Sequence, residues 1–454
     1  MNNRVIKPSN TFVAIILLLT MTKGEIDRLG DRIRLSKGHP VASDIALLQD
    51  YRQTFRAPIA RVFSTVLKLA RRVDKQAIVT FRIKRIDTII EKLIRLNEKE
   101  TGSMQLSRMG DIAGCRCILN TANVEKLYGL LADVKQEFGA DVKVKDHINP
   151  PKDDGYRSLH VYVKDKETNK SVEIQIRDIK QHNWATLVEI VDLLYGTQYK
   201  ERGDKGPLGR FLLLYSNAQS LSDLEFSEML KLEKKKKVFE KMSGTISNNH
   251  LAIRRQWLKT KPNGSFFVIM ANKQGSTIES FDSFEAAENF YYNKYLEKGD
   301  SNIVLTHLPN PDFKQISVAY SNYVLAMHAF FDDYRVLVSK KILSCVQTGN
   351  YIKFYKDFNV YIKNVRYYFK DLFFEFRGME ECSKDNEITH SQIKKWINEV
   401  SKRIKYWQDE TTSFFRALMI ATVDKPLYRL LIKNRTRRLT NAITAGQRDS
   451  RINY

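Results

Sequence analysis

Residues Asp146 to His160 read DHINPPKDDGYRSLH, and Val172 to Arg177 read VEIQIR. The first is a turn-rich loop that brings Lys152, Tyr156, Arg157 and His160 close together in sequence. The second has the period of a strand. Glu173, Gln175 and Arg177 share one face, and Val172, Ile174 and Ile176 face a core. On the segment before it, Ser158, His160 and Tyr162 share a face in the same way. If the apolar faces pack together, the polar faces must coincide. One wall then carries a carboxylate, an amide, a guanidinium, an imidazole and a phenol. The plainer alternative is a solvated face of an antiparallel sheet. Such a face usually shows Lys, Glu and Thr, without an adjoining Pro-Lys-x-x-Gly-Tyr loop. The mix fits a site for two polyphosphates and a metal ion.

Asp111 lies at the start of another strand, before the small residues Ala113 and Gly114. With Glu173 it can hold Mg²⁺, which favours one or two carboxylates plus phosphate oxygens. Arg82-Ile83-Lys84 reads as the opening of a helix that continues through Lys92 and Arg95. On it Lys84 and Lys92 point the same way. A first-turn cation opposes the helix dipole, so Lys84 is better explained by an anion. An ordinary amphipathic surface helix is the alternative.

The series Arg82-x-Lys84-x-x-Asp87-Thr88-x-x-x-Lys92, Asp111-Ile112-Ala113-Gly114-x-Arg116, Asp146 to His160 and Glu173-Ile174-Gln175-Ile176-Arg177 closely resembles the RelA/SpoT alarmone synthetase family. The resemblance covers residues 80–200 well and 21–330 more loosely. It implies an enzyme that transfers pyrophosphate from ATP to the 3′-hydroxyl of GDP or GTP, making (p)ppGpp in a stringent response. It further implies that Arg82, Lys84, Lys92 and Arg116 bind ATP. Asp111 and Glu173 would hold Mg²⁺, with Glu173 also the base for the attacking hydroxyl. Tyr156 would stack on the acceptor base, and Lys152, His160, Gln175 and Arg177 would hold acceptor phosphates and ribose. His147 stands where the family usually has Tyr, and Arg85 where small synthetases often have Ser. The acid after the Trp-Ala-Thr helix, Glu189, is displaced by one residue. No His-Asp dipeptide occurs, so the family's metal-dependent hydrolase domain is not expected.

The elements that must position these residues form an α+β fold. A helix from Ser43 or Asp44 to about Ala70, kinked or split at Pro58, precedes the helix opened by Lys84. Then come a strand Ile112–Leu119, a helix Val124–Phe138 and a strand Val142–Lys145. The antiparallel pair Leu159–Lys164 and Val172–Arg177 follows, and then a helix Ile179–Tyr199. Residues 21–205 thus give helices on a mostly antiparallel mixed sheet. A basic helical connector spans 206–250. A small ββαβ unit at 251–330 ends in a longer helix from about Phe313. A helical, aromatic, basic region spans 331–454, with its last dozen residues frayed.

Composition adds a polyanionic partner. Net charge is +23, and residues 331–454 carry 24 Lys and Arg against 14 Asp and Glu. Some relatives in the family are toxins that modify the 3′-CCA end of tRNA. Lys234–Lys237, Arg254-Arg255 near Trp257, Lys394-Lys395-Trp396, Lys402-Arg403 near Trp407, and Arg435–Arg438 mix cations with aromatics as RNA binding does. Solvated helix faces over buried aromatics are the alternative. A third reading has the C-terminal helices sense an antitoxin or phage protein and gate the enzyme. Cys115 and Cys117 read as small core residues, and four cysteines fit a reducing cytoplasm. The apolar run 12–19 resembles a signal-peptide core and is too short to span a bilayer. Translation is expected to start at Met21. No other segment reads as a membrane helix.

Overall fold

In the computed structural model, Thr22 caps the first helix. Its hydroxyl accepts from the Glu25 N–H, and the Glu25 carboxylate accepts from the Thr22 N–H. The structure describes residues 21–98, 104–139, 142–203, 206–260, 264–272, 275–298, 302–309, 312–320, 328–385 and 387–449. The apolar run 12–19 lies outside them.

The element order is α1 (Lys23–Leu35), α2 (Ala42–Gln53), α3 (Arg56–Val73), β1 (Ile78–Ile83), α4 (Ile86–Glu98), β2 (Ala113–Leu119), α5 (Val124–Phe138), β3 (Lys143–Asp146), β4 (Leu159–Lys164) and β5 (Ser171–Asp178). Four helices follow: α6 (Ile179–Tyr195), α7 (Tyr199–Arg202), α8 (Pro207–Ser216) and α9 (Asp223–Lys236). Then come α10 (Val238–Thr260), β6 (Phe266–Asn272), β7 (Gly275–Phe281), α11 (Phe284–Lys298), β8 (Asn302–His307) and α12 (Phe313–Ala319). Four helices close the chain: α13 (His328–Gln347), α14 (Tyr351–Cys382), α15 (His390–Ala421) and α16 (Pro426–Asp449).

The fold is α+β, with helices on a mixed, mostly antiparallel sheet of eight strands in the order β3-β4-β5-β2-β1-β8-β6-β7. Among the described residues β2 and β5 run parallel and the other neighbours antiparallel. One face buries Val161, Ile174, Ile176 and Cys115 against α1–α5. The other face is covered at the β6–β8 end, where Phe267 packs on Trp257 of α10 and shares a core cluster with Ile269 and Val304. At the β4–β5–β2 end that second face carries polar side chains and bounds a cavity.

Several expectations need correction. Arg82 does not open a helix. It lies on β1, opposite Gly114 of β2 and Thr306 of β8. The β-branched and aromatic run Ile78-Val79-Thr80-Phe81 pairs into the sheet first. Lys84 sits in the connection, its N–H bonded to Ile112 O, and α4 begins two residues later. Lys84 therefore lies ahead of the helix, and no helix dipole opposes its charge from within a first turn. Val41, not Ser43 or Asp44, occupies the N-cap of α2; Asp44 instead accepts from Arg32. The long helix is split as expected, at Thr54-Phe55 rather than Pro58. Pro58 lies in the first turn of α3, where its missing N–H costs nothing. The ββαβ unit forms, but β8 joins it edge-on to β1, so it extends the one sheet. The helix from Phe313 ends at Ala319; of the last dozen residues, 443–449 are helical rather than frayed, and the remainder lies outside the described residues. Among the described residues no helix is long and apolar enough to cross a membrane.

A buried ion pair ties these parts together. Arg52 on α2 and Glu288 on α11 are 0% and 1% exposed at the side chain, with Nη1 2.8 Å from Oε1. Arg52 Nε also donates to Lys84 O at 2.8 Å. Removing one partner strands a buried charge, which costs about 3–5 kcal/mol. Arg52→Ala is therefore expected to lower stability by about that amount in a denaturant titration. A loss below about 1 kcal/mol would show that water reaches the pair.

Candidate active site

The wall begins with register. β4 and β5 pair so that His160 faces Gln175 and Tyr162 faces Glu173. The alternate residues Leu159, Val161, Ile174 and Ile176 are fully buried, so the strands cannot slip without exposing them. The polar faces coincide, as the spacing requires. Glu173 is the centre of the wall. Its Oε1 lies 2.7 Å from His160 Nδ1 and accepts from Tyr162 Oη at 3.0 Å. Its Oε2 accepts from Gln175 Nε2 at 2.9 Å. A carboxylate only accepts, so Nδ1 of His160 carries the proton of that bond. Burial pushes the Glu173 carboxyl up, but the His160 hydrogen bond and charge outweigh it and hold the group at about 2.

The loop before β4 is held from both ends. Asp146 accepts from the Ile148 and Asn149 N–H groups and from Tyr128 Oη. Gly155 has a φ of +91°, and a Cβ there would meet the Ser216 Cβ at 2.8 Å, so the turn demands glycine. Arg157 donates to Ser216 O at 3.1 Å and to Asn217 Oδ1 at 2.7 Å. Tyr199 Oη donates to Asp154 O at 2.9 Å. The anchors at 199, 216 and 217 lie far along the chain, and no local spacing announces them.

Tyr156 leans into the wall. Its hydroxyl accepts from Arg177 and lies 2.7 Å from His160 Nε2. Its ring has Lys152 Nζ 4.9 Å and Arg177 Cζ 5.0 Å from its centroid. A base that stacks on this ring must displace one of the two cations. Lys152 is exposed and free of tight packing, so it is the one to move.

The opposite end carries Arg82, Lys84, Asp111 and Arg116. Lys84 Nζ and Lys92 Nζ both reach Asp111 Oδ2, at 2.8 and 2.6 Å. They do point the same way, although only Lys92 is on the helix. Burial raises the Asp111 carboxyl, yet the two lysines outweigh it and hold it well below the usual range. Arg116 Nη1 donates to Ala319 O at 2.6 Å. Glu189 pairs with Lys200 at 2.7 Å. Burial works against its ionisation, but Lys200 and Arg116 bring its carboxyl to about 2.

Ten of the eleven predicted site residues line a single cavity of about 560 Å³; Lys92 stands behind Asp111 instead. The lining also includes Arg85, Arg95, Lys145, Glu189, Lys200 and Tyr320, which sequence reasoning left without a role. Nine Lys and Arg side chains face six Asp and Glu there. Two buried polar atoms of the site have no hydrogen-bond partner among the described residues: Asp111 Oδ1, an acceptor, and Arg177 Nε, a donor. The first suits a cation and the second an anion.

The cation–aromatic clusters of the C-terminal half resolve differently. Trp257, Trp396 and Trp407 are buried. Arg254 pairs with Glu399, and Arg403 with Glu375, which also accepts from Trp396 Nε1. These aromatics stack inside the protein, not on bases. Lys234, Lys235, Lys394, Lys395 and Lys402 are exposed.

Residues 81–200 match the family model described as a region found in RelA / SpoT proteins. The GTP pyrophosphokinase YwaC of Bacillus subtilis is 37% identical over 113 residues, which is 23% of this chain and 53% of that protein. The uncharacterized protein Rv1366 of Mycobacterium tuberculosis is 33% identical over 132 residues, 29% of this chain and 45% of that one. The chain thus spans about half the length of these relatives. The small alarmone synthetase 1 from Bacillus subtilis bound to its product pppGpp is 23% identical, covers 39% of this chain and 93% of that chain, and has a TM-score of 0.30. Every residue from Arg82 to Arg177 that builds the wall and the cation end falls within the span that matches the RelA / SpoT region.

Proposed function

We propose that the protein is an ATP-dependent pyrophosphokinase that acts on the 3′-hydroxyl of a guanosine nucleotide. The observation that carries this is one cavity with cations at both ends and two carboxylates, the buried Glu173 in the wall and the part-buried Asp111 at the far end. In the reaction the 3′-oxygen attacks the β-phosphorus of ATP. The new O3′–Pβ bond forms as the bond from Pβ to the α,β-bridging oxygen breaks, and AMP leaves. Little covalent work falls to the protein; positioning and charge neutralisation dominate.

On this reading Arg82, Lys84 and Arg116 hold the donor, and Lys92 keeps Asp111 ionised and in place. Tyr156 takes the acceptor base, while Lys152, His160, Gln175 and Arg177 hold its phosphates and ribose. Asp111 and Glu173 offer hard oxygen ligands, and the unpartnered Asp111 Oδ1 fits Mg²⁺. When bound, Mg²⁺ would offset the charge that builds on the phosphate oxygens. Held at about 2, Glu173 is a weak proton acceptor at neutral pH. Its main contribution is negative charge, and base action requires the His160 bond to loosen.

The test is transfer from ATP labelled in its β- or γ-phosphate to GDP, GTP or deacylated tRNA. Label is expected in the guanosine nucleotide. Label in tRNA alone would overturn this choice of acceptor. Within the site, Tyr156→Ala is expected to raise the acceptor KM about tenfold or more, since a stacked base is worth about 1–3 kcal/mol. Tyr156→Phe, which keeps the ring, should cost far less. Equal effects of the two would mean that the hydroxyl, not the ring, does the work.

A further inference from the structure

A second cavity, of about 840 Å³, lies between α15 and α16. Its size is that of a small-molecule pocket. The two helices form a hairpin turned at residues 422–425, and α16 is seated on α14 at both ends. Near its start Tyr428 packs on Tyr351 and Phe354, with ring centroids 4.9 and 4.8 Å apart. Near its end Gly446 comes so close to Phe373 that a Cβ there would meet the ring at 2.7 Å. Between these two contacts α16 stands off from α15 and leaves a groove.

The groove is long. Its lining runs from Gln408 to Met419 on α15 and from Ile432 to Gln447 on α16. At 1.5 Å per residue that is roughly 17–22 Å. Its floor is apolar, with Phe369, Phe415, Met419, Ile432, Leu439 and Ile443. Among the described residues its charged lining consists of Arg416, Lys433 and Arg437. None of the three has an ion-pair partner among the described residues. Other cations of these helices do: Arg335 pairs with Asp332 and Glu410, and Arg403 with Glu375. Arg416, Lys433 and Arg437 all sit in the half of the groove near the hairpin turn, and the far half is uncharged among the described residues, with Phe369 and Ile443 beside Gln408, Thr444 and Gln447. Thr436 Oγ1, in the lining, is buried without a hydrogen-bond partner among the described residues.

We infer that this groove binds an anionic amphiphile with an extended acyl-type chain. The chain would lie along the apolar floor, where each buried CH₂ contributes about 0.8 kcal/mol. The phosphate or carboxylate head would meet Arg416, Lys433 and Arg437. The mostly aliphatic floor and the length favour a chain over a compact nucleotide. The site is separate from the catalytic cavity and does not depend on the proposed reaction.

The test is isothermal titration calorimetry on the full chain with dodecyl phosphate below its micelle concentration. Inorganic phosphate, dodecyl maltoside and GTP are the comparison probes. One-site binding of dodecyl phosphate is expected, at least about tenfold tighter than phosphate or maltoside. The pair Arg416→Ala/Arg437→Ala should weaken it at least about tenfold, and so should Thr440→Trp, which fills the groove. Pyrophosphate transfer and Tm measured on both variants confirm that they fold. If the double variant misfolds, Lys433→Glu serves in its place. Failure of dodecyl phosphate to bind, or equal binding by the variants, overturns the inference. Binding of GTP that depends on Arg416 overturns the choice of a chain-bearing ligand.

Discussion

Glu173→Gln is expected to cut pyrophosphate transfer by about 10²–10³-fold or more while the protein stays folded. Gln has nearly the shape of Glu, and the neighbouring apolar residues Ile174 and Ile176 still anchor β5 in the core. One of the three groups that now donate to Glu173, on His160, Tyr162 and Gln175, would meet an amide NH₂ instead of an oxygen. A buried mismatch of that kind costs about 1–3 kcal/mol, partly returned because Asp111 no longer repels a second carboxylate. The charge is what disappears. With its carboxyl held at about 2, Glu173 is fully ionised at neutral pH. Its folded-state value lies below the ordinary one, so the stability it contributes is present above the ordinary carboxylate range. That contribution is lost only as pH falls towards 2. Rate of AMP release and thermal melting, measured side by side, check the prediction. A variant with wild-type turnover would remove Glu173 from the mechanism.

Asp111→Asn is the second large effect, and it should differ in kind. Asp111 neutralises Lys84 and Lys92 through a single oxygen. Two ammonium groups both within hydrogen-bond reach of one atom lie only about 5 Å apart. At an effective dielectric near 20 they repel by on the order of 3 kcal/mol. The Asn variant is therefore expected to melt earlier than wild type. Its lysines, freed from the carboxylate, should grip ATP phosphates at least as well as before. Turnover should fall about a hundredfold or more, and the Mg²⁺ concentration for half-maximal rate should rise. Nucleotide affinity measured without metal should hold or tighten. Unchanged Mg²⁺ dependence would mean that Asp111 serves the lysines alone.

The wall was the most legible part of the chain. A period of two in Val172–Arg177 placed Glu173, Gln175 and Arg177 on one face without any knowledge of the partner strand. Pairing with β4 then followed from the apolar faces, and the observed register agrees. Helix α5 was equally plain, bounded by Asn123 as cap and Gly139 as stop. β1 was missed because Ile83-Lys84-Arg85-Ile86 runs straight into the helical period of α4, and local periodicity blurs where one ends. Its hydrogen-bonding partners, β2 and β8, decide the matter, and β8 lies more than 200 residues away. The same limit explains Arg116 on Ala319 O and Arg157 on Asn217, contacts that only the folded chain brings together. Cations beside tryptophans misled for another reason. Arg403 next to Trp407 reads alike whether it faces RNA or a buried Glu375, and the choice belongs to tertiary packing.

In the proposed reaction the chain moves a pyrophosphate rather than a single phosphate. Anion-exchange separation of the products from ATP, GDP and Mg²⁺ tests it most directly. AMP and a guanosine nucleotide bearing two added phosphates are predicted, in equal amounts and absent with Glu173→Gln. ADP as the adenine product, or AMP with no phosphorylated acceptor, would contradict the account.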